Sequence, residues 1–259
     1  MTAQARPRAL LVVVAHPDDE SLACGATIAR AAAAGVAVTI ASLTRGDAGP
    51  TSAGFDGQRL GDTRAREFEA AGRVLGATRV VLRDHPDGML PWLDQDLLVA
   101  EIADLIHAAR ADTVITFGAD GLYWHPDHIA VHERTTEAVA RQGRRGPALY
   151  YVTMPPGQMR AVAEADPARR PVVPGLPDAD AFGAAAAAPT LIVPSGPFAI
   201  QKLAAIRCHR SQFADSAFAS LGDAAASRLL GVEHFHRASV GSASPSVLDA
   251  LAAPPAPSA

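Results

Sequence analysis

The chain has 259 residues, a formal net charge of -4 at pH 7 and 49% hydrophobic residues. At this length, one domain with an elaborated carboxyl-terminal part fits better than two full domains, so we predict a single domain over residues 1–259. The acidic charge argues against a nucleic-acid-binding protein, because Arg144 and Arg145 form only a pair and no longer basic block exists.

Other functional classes lack their sequence signals. No G-x-G-x-x-G or Walker sequence follows a strand-like run, which disfavours an enzyme that uses a nucleotide cofactor. No apolar run is long enough to span a membrane, and the amino terminus does not resemble a cleavable signal peptide. Cys24 and Cys208 form no C-x-x-C motif, which indicates two packed thiols in a reducing compartment. We therefore expect a cytoplasmic protein.

Strand-like and helix-like segments alternate along the chain, which predicts an α/β fold with a mostly parallel sheet and crossover helices. The predicted strands are 9–15, 36–43, 79–82, 112–117, 148–153 and 191–193, and the predicted helices are 21–34, 60–75, 95–110, 127–142 and 198–209. The Pro- and Ala-rich segment 155–189 predicts an irregular excursion that lies over the active site. Residues 254–259 predict a disordered tail.

The first strand ends in the sequence LVVVAHPDDE at residues 11–20. Ligands of open α/β sheets bind at the carboxyl ends of strands, and Pro17 ends the strand there. His16 and Asp19 can then turn toward one point, and an imidazole with a carboxylate suits zinc or another divalent transition metal. For the acidic residues alone, the simpler interpretation is a cap on the following helix. The histidine at the strand end favours a site.

A second polar cluster, His125-Pro126-Asp127-His128, follows the predicted strand 112–117. Proline suits the first helical position, so His125 is expected at the N-cap and His128 one turn further along the helix. His16, Asp19 and His128 together make a three-ligand set that leaves a fourth position open, as catalytic zinc sites require. Asp18 and His125 would lie beside the metal as unliganded groups.

The motifs AHPDDE and HPDH resemble those of the PIG-L or LmbE-like family of zinc-dependent N-acetylglucosaminyl deacetylases. Three further motifs agree with the resemblance, which covers roughly residues 8 to 215: T-R-G-D at 44–47, T-R-x-x-E at 63–67 and K-x-x-A-x-x-x-H-x-S-Q at 202–212. One departure is Gly25-Ala26, where many members carry Gly-Gly. The resemblance implies a Rossmann-like three-layer sandwich.

The resemblance also implies roles for individual residues. It makes His16, Asp19 and His128 the ligands of zinc, or of Fe²⁺ or another divalent transition metal. Asp18 becomes the general base, and His125 assists at the tetrahedral intermediate. The substrate implied is a small amino sugar from which an acetyl group is removed, and its contacts are expected at Arg64, Asp87 and Asp47.

Alternatives remain at this stage. His132 could pair with His128 in a His-x-x-x-His zinc motif, and Cys24 follows the ligand motif closely enough to reach a metal. An amidase of the same family that acts on a thiol conjugate or an antibiotic-type amide would carry the same catalytic residues. A non-catalytic binding module with a structural metal is a third possibility, against which the presence of both Asp18 and His125 argues. The sequence leaves open whether the chain forms a homo-oligomer.

Overall fold

The structure is a computed structural model that describes residues 8–52, 54–56, 59–168, 170–173, 175–176 and 178–252, so the predicted tail at 254–259 lies outside it. Within these residues, seven strands form one sheet in the order β3-β2-β1-β4-β5-β7-β6. Pairing is parallel from β3 to β5, and β7 runs antiparallel to both β5 and β6. The strands are β1 (Ala9–Val14), β2 (Ala37–Thr44), β3 (Arg79–His85), β4 (Thr113–Phe117), β5 (Ala148–Thr153), β6 (Leu191–Pro194) and β7 (Val232–Gly241).

Helices cover both faces of the sheet. They are α1 (Asp19–Ala33), α2 (Leu60–Leu75), α3 (Gln95–Ala109), α4 (Gly121–Trp124), α5 (Pro126–Gln142), α6 (Gln158–Ala165), α7 (Ala199–Cys208), α8 (Arg210–Phe213), α9 (Asp223–Leu230) and α10 (Val247–Ala252). One group of contacting helices is α1, α2 and α7, and another is α3 with α5. The predicted three-layer α/β sandwich with a mostly parallel sheet is confirmed. None of the helices in the described part of the chain has the length and hydropathy needed to cross a bilayer.

The sequence did not predict β7 or the short helices α4, α6, α8, α9 and α10. Strand β7 reads VEHFHRASVG, and its burial alternates only over its first residues, with Glu233 and Phe235 buried. A strand with so few apolar residues gives little periodic signal in the sequence. Its extended conformation is stabilised by antiparallel pairing with β5 and β6. Segment 155–189 is also less irregular than predicted, because it contains α6.

The carboxyl ends of β1 and β4 lie side by side, at the point where the order of the strands in the sheet reverses relative to their order in the chain. All six residues of β1 are buried, and the strand pairs in parallel with β2 on one side and β4 on the other. Two hydroxyls fix the end of β1, since Ser42 Oγ and Thr44 Oγ1 donate to the Ala15 carbonyl at 3.1 and 2.9 Å. In open α/β sheets, such a switch point is where ligands bind.

A buried carboxylate of β7, Glu233, connects this strand to helices α1 and α7. Lys202 of α7 donates to Glu233 of β7 at 2.6 Å. The Glu233 carboxylate also accepts the backbone N–H groups of Ala26 and Thr27, at 3.1 and 2.7 Å. These N–H groups need a partner because α1 is kinked at Cys24, where φ is -146° and ψ is 24°. The predicted motif that begins at Lys202 therefore has a structural reason.

Gly72 lets α2 approach the sheet closely, which generates a stability prediction. A Cβ there would lie 2.5 Å from Val80 Cγ2 and 3.2 Å from Ile40 Cδ1. Alanine would gain up to about 1 kcal/mol of helix propensity, whereas overpacking against a stiff β-branched side chain costs about 1–3 kcal/mol. We expect Gly72→Ala to lower the free energy of unfolding, measured by denaturant titration. Gly196→Ala is the control, because a Cβ at exposed Gly196 meets nothing within 4 Å. Equal stability of the two variants would refute this packing.

Candidate active site and metal centre

A strained turn links β1 to α1. Asp18 has φ 122° and ψ -27°, a conformation that costs a residue with a side chain on the order of 1–3 kcal/mol. The turn reverses the chain so that the His16 N–H donates to Asp19 Oδ2 at 2.8 Å. His16 and Asp19 therefore face the same space, as the motif predicts, although α1 begins at Asp19 rather than near residue 21.

The second motif is positioned by an irregular helical turn before α5. Leu122 and Trp124 of α4 both have positive φ, at 66° and 67°. His125 is the N-cap of α5, and its Nδ1 accepts the Asp127 N–H at 3.2 Å. The predicted N-cap position of His125 is thus confirmed. His128, one turn along, is fully buried and stacks on Phe117 at the end of β4, with ring centroids 4.0 Å apart.

One nitrogen of His16, one nitrogen of His128 and the two carboxylate oxygens of Asp19 lie close together, and we call these three side chains the donor triangle. His16 Nδ1 lies 3.2 Å from His128 Nε2, which lies 3.2 Å from Asp19 Oδ1, and His16 Nδ1 lies 3.4 Å from Asp19 Oδ2. Zinc at about 2.0–2.1 Å from tetrahedral ligands separates those ligands by about 3.3–3.4 Å. The spacing of the triangle fits a divalent transition metal.

The outer nitrogens of both rings are occupied by hydrogen bonds. His128 Nδ1 donates to the Gly121 carbonyl at 3.1 Å, and His16 Nε2 donates to Asp87 Oδ1 at 3.0 Å and Asp127 Oδ2 at 3.2 Å. In a neutral imidazole this fixes the lone pair on the nitrogen that points into the triangle. The donor chemistry of His16 and His128 therefore fits metal ligation as well as the spacing does.

Two other groups of ligand-type side chains lie close together: His16, His125 and His128, and His16, Asp87 and Asp127, each with donor atoms within 4.8 Å of one another. The second group would use His16 Nε2, and Asp127 is already engaged by the N–H groups of Gly88 and Leu90, at 2.8 and 3.1 Å. The first shares two members with the triangle. We infer that His125 stands at its open side.

Surrounding carboxylates make this pocket favourable for a positive charge. Burial alone would lower the pKa of His16, but its hydrogen bonds to Asp127, Asp19 and Asp87 raise the pKa well above its usual value. Burial alone would raise the pKa of Asp87, but His16 and the Ala48 N–H outweigh it and lower the pKa to about 2. A bound cation would satisfy the same carboxylates.

Asp18 and His125 lie beside the triangle in unusual environments. Burial raises the pKa of Asp18 to about 6, against the opposing charge of Arg64, whose Nη2 donates to Asp18 Oδ2 at 3.0 Å. Burial, with the nearby rings of His128 and His16, lowers the pKa of His125 to about 4. His125 is therefore neutral near pH 7. Because its Nδ1 accepts a hydrogen bond, its proton is on Nε2.

A cavity of about 240 Å³ opens onto these groups, and it contains all but two of the predicted site residues. The two exceptions are His128, which is fully buried, and Asp47, which is exposed on the loop after β2. The lining consists of His16, Asp18, Asp19, Gly49, Pro50, Arg64, Asp87, Tyr123, His125, Val173, Gly175, Leu176 and Gln212. Val173, Gly175 and Leu176 belong to segment 155–189, which therefore reaches the cavity.

Several residues of this site had no predicted role. Tyr123 lines the cavity and packs edge-on against His125, yet a lone tyrosine in a loop carries no spacing signal. Gln212 had appeared only as a letter of the late motif. Asp127 had no predicted role, but its carboxylate binds His16 and the loop that carries Asp87. Its position between two histidines that were predicted to act was the available signal.

The remaining candidates lie outside the triangle. His132 Nδ1 donates to the Phe117 carbonyl at 2.9 Å and belongs to neither ligand group. The Cys24 thiol donates to the Glu20 carbonyl at 3.7 Å and is also in neither group. His85, the last residue of β3, pairs with Glu101 at 2.6 Å and also belongs to neither group. The two alternative metal ligands are not brought to the site.

Comparison with known proteins agrees with this geometry. The PIG-L family model, described as GlcNAc-PI de-N-acetylase, matches residues 11–139. A 1D-myo-inositol 2-acetamido-2-deoxy-alpha-D-glucopyranoside deacetylase of Kineococcus radiotolerans is 32% identical, and the match covers 80% of this chain and 69% of the relative. A deacetylase of the same name from Acidothermus cellulolyticus is 33% identical and covers 88% of both chains.

Among solved structures, the N,N'-diacetylchitobiose deacetylase of Pyrococcus horikoshii superimposes with a TM-score of 0.65 and 20% identity, over 90% of this chain and 84% of that chain. This likeness shows the shared fold. Fold, site and relatives together define an enzyme of the deacetylase class. The chain belongs to the PIG-L family, as the motifs indicated.

The donor triangle generates a prediction about metal content. His16→Ala and His128→Ala should each lose most of the bound metal, because the two ligands that remain, one imidazole and one carboxylate, hold a divalent ion poorly. Metal content is measured by inductively coupled plasma mass spectrometry after gel filtration. His132→Ala is the matched control, since it removes a histidine one turn further along α5 and should keep the wild-type metal content. Full metal content in either triangle variant would contradict the ligand assignment.

Proposed function

We propose that this enzyme is a metal-dependent N-deacetylase that removes the acetyl group from a 2-acetamido-2-deoxyglucoside. The observation that carries the proposal is the donor triangle of His16, Asp19 and His128 with a carboxylate, Asp18, and a neutral imidazole, His125, beside it at the cavity. Relatives named as deacetylases of an inositol-linked glucosaminide support the choice of substrate. The free thiols of Cys24 and Cys208 support a cytoplasmic location.

His16, Asp19 and His128 would hold zinc, with Fe²⁺ or another divalent transition metal as the alternative. Such an ion supplies activation of water near neutral pH and polarisation of the acyl oxygen. The carbonyl and carboxylate partners of the two rings keep both imidazoles oriented toward the ion. The protein's contribution is to fix three ligands and to leave the remaining side open to the cavity.

Asp18 is proposed as the general base. Its carboxylate lines the cavity next to the triangle and is held by Arg64, so it is oriented to take a proton from the attacking water. His125, with its proton on Nε2, is proposed to donate a hydrogen bond to the oxygen of the tetrahedral intermediate, where loss of one donor costs about a hundredfold or more in rate. Asp18, which has taken the proton of the water, then returns it to the leaving amine; His125 is the alternative donor only after its Nδ1 has gained a second proton, because a neutral imidazole is too weak an acid.

Arg64 and Asp87 both line the cavity and are proposed as substrate contacts. Carboxylates accept hydrogen bonds from vicinal hydroxyls, and a guanidinium is a fixed fork of donors. Both residues also support the site, because Asp87 binds His16 and Arg64 Nη2 binds Pro17 and Asp18. Asp47, exposed beyond the cavity, is proposed to contact only a part of the substrate that extends outward.

A second candidate function is hydrolysis of a larger amide, such as a thiol conjugate or an antibiotic-type amide. Val173 and Leu176 favour it, because these apolar side chains are part of the cavity lining. A substrate composed of hydroxyls alone would leave these side chains without an apolar partner. Comparing acetate release from N-acetylglucosaminyl-inositol with release of the acyl product from such an amide separates the two candidates.

The first test of the proposal is acetate release with the wild-type enzyme and Asp18→Asn. The variant should keep the metal, since Asp18 is outside the triangle, and should lose about a hundredfold or more in kcat because an amide accepts no proton from water. Free acetate and bound metal are measured on the same preparation. Near-normal turnover would remove Asp18 as the base, and loss of the metal would make it a ligand.

The second test compares an N-acetylglucosaminide with a small sugar-free acetamide. Asp87→Ala and Arg64→Ala should lower kcat/KM for the glucosaminide more than for the acetamide, because only the sugar uses their hydroxyl contacts. Arg66→Ala is the control, an exposed arginine on the same helix whose Nη2 reaches only Thr63. Equal losses for both substrates would restrict Arg64 and Asp87 to supporting the metal and Asp18.

A further inference from the structure

The turn that carries Asp18 rests on a buried acid that the proposed chemistry does not use. Glu20 is fully buried, and its Oε2 accepts the Asp18 N–H at 3.0 Å. Its Oε1 accepts the Ser21 hydroxyl at 2.5 Å and His209 Nε2 at 2.9 Å. Glu20 thus accepts a hydrogen bond from the backbone N–H of Asp18, the residue whose backbone is strained.

His209 reaches Glu20 from a distant part of the chain. It lies at the junction of α7 and α8 and is fully buried, and its Nε2 donates to Glu20 Oε1 in a hydrogen bond that is closed to solvent. A buried carboxylate without such a partner would be costly, and a buried imidazole opposite it is restricted to one position. His209 therefore fixes the carboxylate that fixes Asp18.

The junction that carries His209 is anchored in turn to α2. Glu67 accepts both the N–H and the hydroxyl of Ser211, at 2.8 and 2.6 Å. Arg64, one turn earlier on α2, holds the other side of the turn through the Pro17 carbonyl and Asp18 Oδ2, at 2.6 and 3.0 Å. Asp18 is held from its backbone by Glu20 and from its side chain by Arg64.

We propose that Glu20 and His209 are positioning residues for Asp18: the buried pair maintains the strained backbone conformation that aims the Asp18 carboxylate at the cavity. This inference rests on the proposed function, in which Asp18 is the general base. It explains why two widely separated motif residues, the last of AHPDDE and the histidine of K-x-x-A-x-x-x-H-x-S-Q, meet without touching the cavity. A misplaced base would slow the chemical step while the metal and the substrate contacts remain.

The test compares His209→Ala with His209→Gln. Glutamine Nε2 can occupy the place of imidazole Nε2, so His209→Gln should keep the donor to Glu20 and most of kcat. His209→Ala should lower kcat about tenfold to a hundredfold, with KM and metal content near those of the wild type. Lys202→Met is the control, because it breaks a different buried pair, the one between Lys202 and Glu233. Neither of these two side chains contacts Asp18. Lys202→Met should lower stability without the same loss of kcat.

Two further measurements separate positioning from general destabilisation. In an Asp18→Asn background, assayed at high enzyme concentration, His209→Ala should cost little more, because the group it positions is gone. Hydrogen exchange of the peptide that carries Asp18 should be faster in His209→Ala than in Lys202→Met, a readout that needs no turnover. If His209→Gln is as impaired as His209→Ala, if the losses are additive with Asp18→Asn, or if Asp18 exchange is unchanged, the positioning role is refuted. Absence of acetate release by the wild type would instead refute the proposed function.

Discussion

The parallel pairing of β1 with β4 is the constraint on which the site depends. Each strand is buried and ends at the same edge of the sheet, so the residues that follow them meet although they are more than a hundred positions apart. The chain leaves β1 toward β2 and leaves β4 toward β5, which opens a crevice between the two loops. His16 and Asp19 enter this crevice from one side and His128 from the other, and the triangle exists only while the two strands stay in register.

Local strain around this crevice is balanced by buried polar partners. Asp18, Leu122 and Trp124 all have positive φ. Asp18 itself lines the cavity, and Trp124 directly precedes His125, which also lines it. At Asp18 the partners are Glu20 and Arg64, and before α5 the Gly121 carbonyl is bound by His128. Strained backbone persists only where surrounding contacts determine it, and in this enzyme those contacts come from buried polar side chains around the cavity.

Much of the fold and most of the site could be predicted from the sequence. Continuous apolar runs predicted β1 and β4, and the motifs after them predicted that His16, Asp19, His125 and His128 would lie close together, because the carboxyl ends of neighbouring parallel strands meet at one edge of the sheet. The failures have physical causes. Strand β7 is held by its neighbours and by the Lys202–Glu233 pair rather than by its own apolar pattern. Tyr123 reaches the cavity through an irregular turn that no periodicity reveals, and Asp47 carries a family motif but remains exposed.

We propose that one metal ion binds at this cavity, held by His16, Asp19 and His128. The decisive measurement is a crystal structure of the metal-loaded protein, with anomalous diffraction collected at the absorption edge of the metal. We expect one anomalous peak within bonding distance of His16 Nδ1, His128 Nε2 and an Asp19 carboxylate oxygen, with Asp18 and His125 outside the ligand set. A peak on the other side of His16, between its Nε2 and the carboxylates of Asp87 and Asp127, would rule out this ligand set.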